Sequence, residues 1–114
     1  MSDENVILLD EAIDDLEVGS IFYDTQQLGI GDYFVNSLLS DISSIEFYSG
    51  IHPIRFGYYR MLAKRFPFAI YYDVSEEVSR VVAVLDMRRD PQSIRKILSH
   101  RKKSQSGSQG ESNP

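Results

Sequence analysis

Cysteine is missing from the 114 residues of this sequence, which excludes disulfides and thiolate metal ligation alike. His52 and His100 are its two histidines, too few to expect a zinc site, and no metal or cofactor is expected. The opening residues MSDENVILLD lack the cationic start and long apolar core of a secretory signal. No apolar run approaches the roughly 20 residues that span a bilayer. A cytoplasmic protein without membrane attachment is therefore expected. The hydrophobic share of 42% and charged share of 25% suit one globular domain with a single modest core.

The most informative absence is of one charge sign. Residues 1–54 contain no Lys or Arg, while residues 55–114 hold all 12 basic residues and only a minority of the acids. The halves carry −11 and +6, within a net charge of −5. Such segregation can build two surfaces of opposite sign, the basic one open to a phosphate-rich or acidic partner. It can equally be consumed by pairing inside the fold.

Hydrophobic periodicity divides the chain into elements. ENVILLD (4–10) is a short apolar burst that suits a first strand, and equally the start of a helix. From Ala12 to Gln27, Ile13, Leu16, Ser20 and Tyr23 recur at helical steps, with Gly19 inside the pattern at a cost of about 1 kcal/mol relative to Ala. LGIGD (28–32) supplies a turn, and Asp32 is the expected N-cap of a second helix. Phe34, Leu38, Ile42 and Ile45, with Leu39 beside them, mark its apolar stripe as far as Tyr48. After Ser49-Gly50 the period changes to two. In 58–65, Tyr59, Met61 and Ala63 alternate with Arg60, Leu62 and Lys64; strands are also expected at 68–74 and 78–87, with Pro67 in the hairpin between the first two. Short connections require these three to pair antiparallel. Pro91 starts a short helix to Leu98, and the polar run from Ser99 is expected to be a disordered tail. The sequence thus predicts an α+β domain over 1–98, in the order β-α-α-β-β-β with a short C-terminal helix, and a tail over 99–114. The helical hairpin should pack on one face of an antiparallel sheet, with no helices on the other.

No phosphate-binding glycine loop, HExxH or nucleophile elbow occurs. GIGD (29–32) follows a helix where a phosphate loop would follow a strand, and Asp14, Asp15 and Glu17 read as a solvated helix face. The sheet half offers more. Arg55, Arg60, Lys64, Arg65, Arg88 and Arg89 fall on or beside strand ends, interleaved with Tyr58, Tyr71 or Tyr72. If the strands are neighbours, these cations gather along one sheet edge, suited to a phosphate backbone or to an acidic protein. The alternative is that Arg88 and Arg89 pair with the acidic first helix.

The stretches FYDTQQLGIGDYF (22–34), YSGIHPIRFGYYRMLAKRFPFAIYYDV (48–74) and VVAVLDMRRDP (81–91) resemble the RelE/ParE superfamily of toxins from type II toxin–antitoxin systems. The likeness runs over about 11–89 and is strongest to the plasmid-stabilisation, ParE-like branch. It implies a helical hairpin on a curved antiparallel sheet, a bacterial toxin, and a cognate antitoxin as partner. ParE-like action would be inhibition of DNA gyrase by binding. RelE-like action would be ribosome-dependent mRNA cleavage, with Arg60, Lys64 and Arg88 as its catalytic residues. In that alignment the family's third-strand arginine falls near Ala69 and its C-terminal tyrosine near Ile94. RNA cleavage through the 2′-hydroxyl needs a base, a phosphorane-stabilising group and an acid. Two of those roles lack an occupant, so the binding mode fits better. A non-toxic binding module is the third reading. For any of them the expected partner surface is Arg55, Arg60, Lys64, Arg65, Arg88 and Arg89, with Phe56, Leu62 and Phe66 as apolar anchors. It would receive an acidic, amphipathic segment of the antitoxin.

Overall fold

A computed structural model describes residues 5–110, with side-chain detail as far as Arg101. The elements run β1 (Asn5–Leu8), α1 (Asp10–Gln26), α2 (Ile30–Ser43), α3 (Ile45–Tyr48), β2 (Ile54–Arg55), β3 (Tyr58–Leu62), β4 (Phe68–Ser75), β5 (Val78–Asp86) and α4 (Pro91–Gly110). The five strands form one sheet in the order β1-β5-β4-β3-β2. β3, β4 and β5 make the expected antiparallel meander, whereas β1 pairs parallel with β5, so the sheet is mixed.

The hairpin of α1 and α2 covers one face. Phe34, Leu38, Ile42 and Ile45 are buried there, as their spacing required, against Met61, Phe68, Ile70 and Tyr72. On α1 the buried stripe is Ala12, Leu16 and Gly19, and Ile13 is 49% exposed. Gly19 therefore has a packing reason to interrupt the helix: a Cβ there would meet the Phe34 ring at 2.5 Å. Gly31 is its counterpart, since a Cβ on it would lie 2.5 Å from the Ser20 carbonyl oxygen. The N-terminus of α2 is not capped by Asp32, which lies inside the first turn. Asp24 of α1 does this work, its Oδ1 accepting the N–H groups of Gly29 and Gly31. The second helix also breaks at Ser44, leaving α3 as a separate turn.

Helices were expected on one face, and α4 overturns that. Ile94 and Leu98 are buried on the opposite face with Tyr58, Ala69, Tyr71, Val82 and Leu85. A bulge makes this second core possible. Tyr71 pairs with Ala83 and Tyr72 with Val81, so Val82 is the extra residue of β5. Both Val82 and Ala83 join the α4 side. Nor does α4 stop at Leu98, for Ser99–Arg101 continue it and its backbone runs to Gly110. The final four residues of the expected tail lie outside the described residues.

Arg101 explains why the helix extends. β1 pairs with β5 only as far as Val81, leaving the backbone groups of Val82 and Val84 without a partner strand. Asp15 of α1 accepts the Val84 N–H at 2.8 Å, and Arg101 of α4 donates to the Val82 carbonyl at 3.0 Å. The two side chains then pair with each other, Nη2 to Oδ1 at 2.8 Å, with 15% and 12% exposure. This ion pair takes the place of the missing strand residues and joins helices from opposite faces around the sheet edge.

Candidate functional site

On the α4 face, an irregularity of the backbone prepares the site. Arg55 pairs with Tyr58, so Phe56 and Gly57 form a two-residue turn with φ of +56° and +87°. Positive φ at both positions is what a type I′ hairpin demands. Glycine meets that demand freely, whereas an aromatic residue in the left-handed region is strained by roughly 1–2 kcal/mol. The turn lifts Phe56 against Tyr71, ring centroids 6.5 Å apart. The guanidinium carbons of Arg55 and Arg95 lie 5.4 and 5.2 Å from the centre of the Phe56 ring, within cation–π range.

Next to this turn is a cavity of about 80 Å³ whose lining includes Arg55, Arg60, Tyr71, Arg89 and Ile94. Among the described residues, no ion pair involves Arg55, Arg60, Arg89 or Arg95. The Nε of the half-buried Arg60 has no hydrogen-bond acceptor among the described residues, a state that costs a buried donor roughly 1–3 kcal/mol unless a ligand or water supplies one. Burial pushes the Tyr71 hydroxyl up from its ordinary pKa, and the Arg60 and Arg55 cations pull it back down. The net electrostatic character is a small, positively charged pocket with one phenolic hydroxyl, able to accept a phosphate or a carboxylate.

Of the six expected partner residues, Arg55, Arg60 and Arg89 come together here. The other three do not. Arg88 turns back on Asp86, with Nη2 to Oδ2 at 2.7 Å, and this pair holds the Asp86 carboxyl below its usual range. Lys64 lines a different cavity, with Asp41, His52 and Met61. Its backbone N–H donates to Asp41 at 3.0 Å. Arg65 is exposed in the loop between β3 and β4. Arg60, Lys64 and Arg88 therefore form no single constellation. Ala69 is fully buried and Ile94 is 5% exposed, both as apolar core. Phe66 is also spent on packing, 5.0 Å from both Tyr23 and Phe34 between ring centres, while Phe56 remains at the cavity. The cation that pairs with the acidic first helix is neither Arg88 nor Arg89 but Arg101. Sequence reading missed Arg95. Its signal was the Pro91-started helix, in which Ile94 and Leu98 face the sheet and the next residue borders that core.

No family model matches the sequence, and no curated protein matches it either. Among solved structures, a chain described as "Chromosomal ParDE TA system from P. aeruginosa" superposes with a TM-score of 0.67. It covers 75% of this chain and 97% of its own length at 12% sequence identity. The fold is shared with a ParDE chain. At that identity the likeness is one of architecture, and the ParDE-like fold is here the scaffold that brings the arginines to one cavity. A second site-forming feature of this scaffold lies on the hairpin face. Gly50 N–H donates to the Tyr72 hydroxyl oxygen, and the same hydroxyl is hydrogen-bonded to Nδ1 of His52. Ser49 and Ser79 hydroxyls lie 2.7 Å apart alongside. Together they staple the segment before β2 to the sheet.

Proposed function

We propose that this chain is the toxin of a type II toxin–antitoxin module, of the plasmid-stabilisation, ParE-like kind, which acts by binding and is silenced by a cognate antitoxin. The observation that carries the reading is the cluster of Arg55, Arg60, Arg89 and Arg95 around a cavity, with the Arg60 Nε buried and unanswered. Arg60 is half-buried, and a partner that brings an acidic group to its Nε supplies the acceptor that the fold does not. The ParDE-like fold agrees with this assignment. DNA gyrase is the leading target. RelE-like mRNA cleavage is the weaker alternative, because Arg60, Lys64 and Arg88 point to separate places and Ala69 and Ile94 are core. The antitoxin would present an acidic amphipathic segment, with Phe56 as its apolar anchor point and the arginines steering association.

Inducible expression in a bacterial host, followed by plasmid topology and mRNA cleavage mapping, tests the reading. Growth arrest with altered supercoiling and intact mRNA is expected. Codon-specific mRNA cuts abolished by Arg60→Ala would replace it with the nuclease, and absence of toxicity would leave a binding module. For the antitoxin, Arg60→Glu with Arg89→Glu should slow association at low salt and flatten its salt dependence. Wild-type association by that double variant would remove the cavity as the docking point.

A further inference from the structure

α1 carries an apolar surface that the core does not use, beside a groove that shares only Arg89 with the arginine cavity. Val18, Ile21 and Phe22 are 63%, 59% and 48% exposed, although the helix already buries Ala12, Leu16 and Gly19 on another side. Their spacing of three and four residues makes them one ridge. Beside it a groove of about 320 Å³ runs between α1 and the end of β5, with Phe68, Val84 and Leu85 in its walls and Asp86 and Arg89 at its border. This is the stretch of β5 that β1 does not reach. Large apolar side chains standing in water beside an apolar groove mark a surface that another molecule covers.

The charges around the ridge specify that molecule. Asp14 lies one helical turn before Val18, and Glu17 one turn before Ile21; both carboxylates are exposed. Among the described residues neither is in an ion pair. Asp15, by contrast, is already taken by Arg101. We infer that the α1 ridge and its groove dock a basic amphipathic helix of a partner protein, whose apolar side chains cover Val18, Phe22 and Phe68 while its lysines or arginines meet Asp14 and Glu17. Apolar burial supplies the affinity and the carboxylates select the sign of the partner. Arg89 is common to this groove and the arginine cavity, so the sign of the partner is set by Asp14 and Glu17 on the exposed side of α1, and the inference stands without the function proposed above.

Two designed helical peptides test it, both with the same leucine face, one carrying lysine and the other glutamate on the remaining positions. Fluorescence anisotropy with the full chain should show the lysine peptide binding about tenfold or more tightly than the glutamate peptide. Amide shifts should concentrate in residues 13–22 and 82–86. Val18→Ser with Phe22→Ser changes exposed positions, so circular dichroism should be unaltered while affinity falls by about tenfold or more, a loss of about 1.4 kcal/mol. Asp14→Asn with Glu17→Gln should weaken binding and flatten its salt dependence, whereas Arg60→Glu should leave it unchanged. Equal binding of the two peptides, retention by the Val18/Phe22 variant, or shifts centred on the arginine cavity would each overturn the proposal. A wild-type dimer that the Val18/Phe22 variant abolishes would overturn it in favour of a second copy of this chain.

Discussion

The two faces of the sheet are built from neighbouring residues of the same strands, yet they reach opposite electrostatic states. Under the hairpin, Phe34, Leu38 and Ile42 close over Met61, Ile70 and Tyr72. The buried carboxylate there, Asp41, is answered by the Lys64 N–H. Under α4, Tyr58, Ala69 and Leu85 are packed as tightly, but among the described residues no ion pair involves Arg55, Arg60, Arg89 or Arg95, and one Nε is buried without an acceptor. One face has been optimised for packing. The other keeps a group of solvent-facing arginines and one buried Nε that no described protein group accepts from.

Mutations should separate the faces by the sign of their effect as well as by its size. Phe34→Ala removes the ring that fills the space above Gly19, and should destabilise by about 3–5 kcal/mol in urea unfolding. Arg101→Met should cost about 3 kcal/mol, because Asp15 would keep its charge and lose its partner while the Val82 carbonyl loses its donor. A stability loss near zero would show that the clasp at the sheet edge is not needed. In the arginine cavity the sign should reverse. Arg60→Met deletes an unsatisfied buried donor and should raise stability by about 1 kcal/mol. A loss of stability would mean that the cation is already compensated, and the contrast between the faces would collapse.

The smallest effect concerns pH. Burial lowers the His52 pKa from its ordinary value of 6.5. A group with a depressed histidine pKa stays neutral in the fold, so its contribution is complete above the unfolded value and declines as pH drops below it. Among the described residues no charged side chain is paired with His52, and of those lining its cavity only Asp41 and Lys64 carry charge. Unfolding free energy should therefore fall below about pH 6.5, by no more than about 1.4 kcal/mol per pH unit, and His52→Gln should abolish that slope. An unchanged slope would assign the pH response to other groups.

What could be read from the sequence, and what could not, follows from the range of the interactions. The alternation of Tyr59, Met61 and Ala63 and the helical spacing of Phe34, Leu38 and Ile42 are local patterns, and the three-strand meander and hairpin follow from them. The parallel partner of β1 lies some seventy residues away, and nothing local announces it. Gly19 looked like a defect because the ring that needs its missing Cβ belongs to another helix. The arginines were identified as a class, but register and the Val82 bulge decide which of them converge. Arg88 sits one residue from Arg89, and that single step sends it to Asp86 instead of the cavity. Arg101 was assigned to a polar tail because its partner, Asp15, is on the far side of the sheet edge.

The pairing of the first strand with the last has a consequence for the order in which the chain can fold during synthesis. β1 leaves the ribosome first but finds its hydrogen-bonding partners only after Val78–Val81 have emerged. The Asp15 clasp waits longer still, for Arg101. Until then the all-acidic first half can form its helical hairpin but has no sheet on which to bury it. The domain should therefore close late and in one step, and nascent chains stalled before β5 should remain sensitive to protease, whereas those stalled well beyond α4 should resist it.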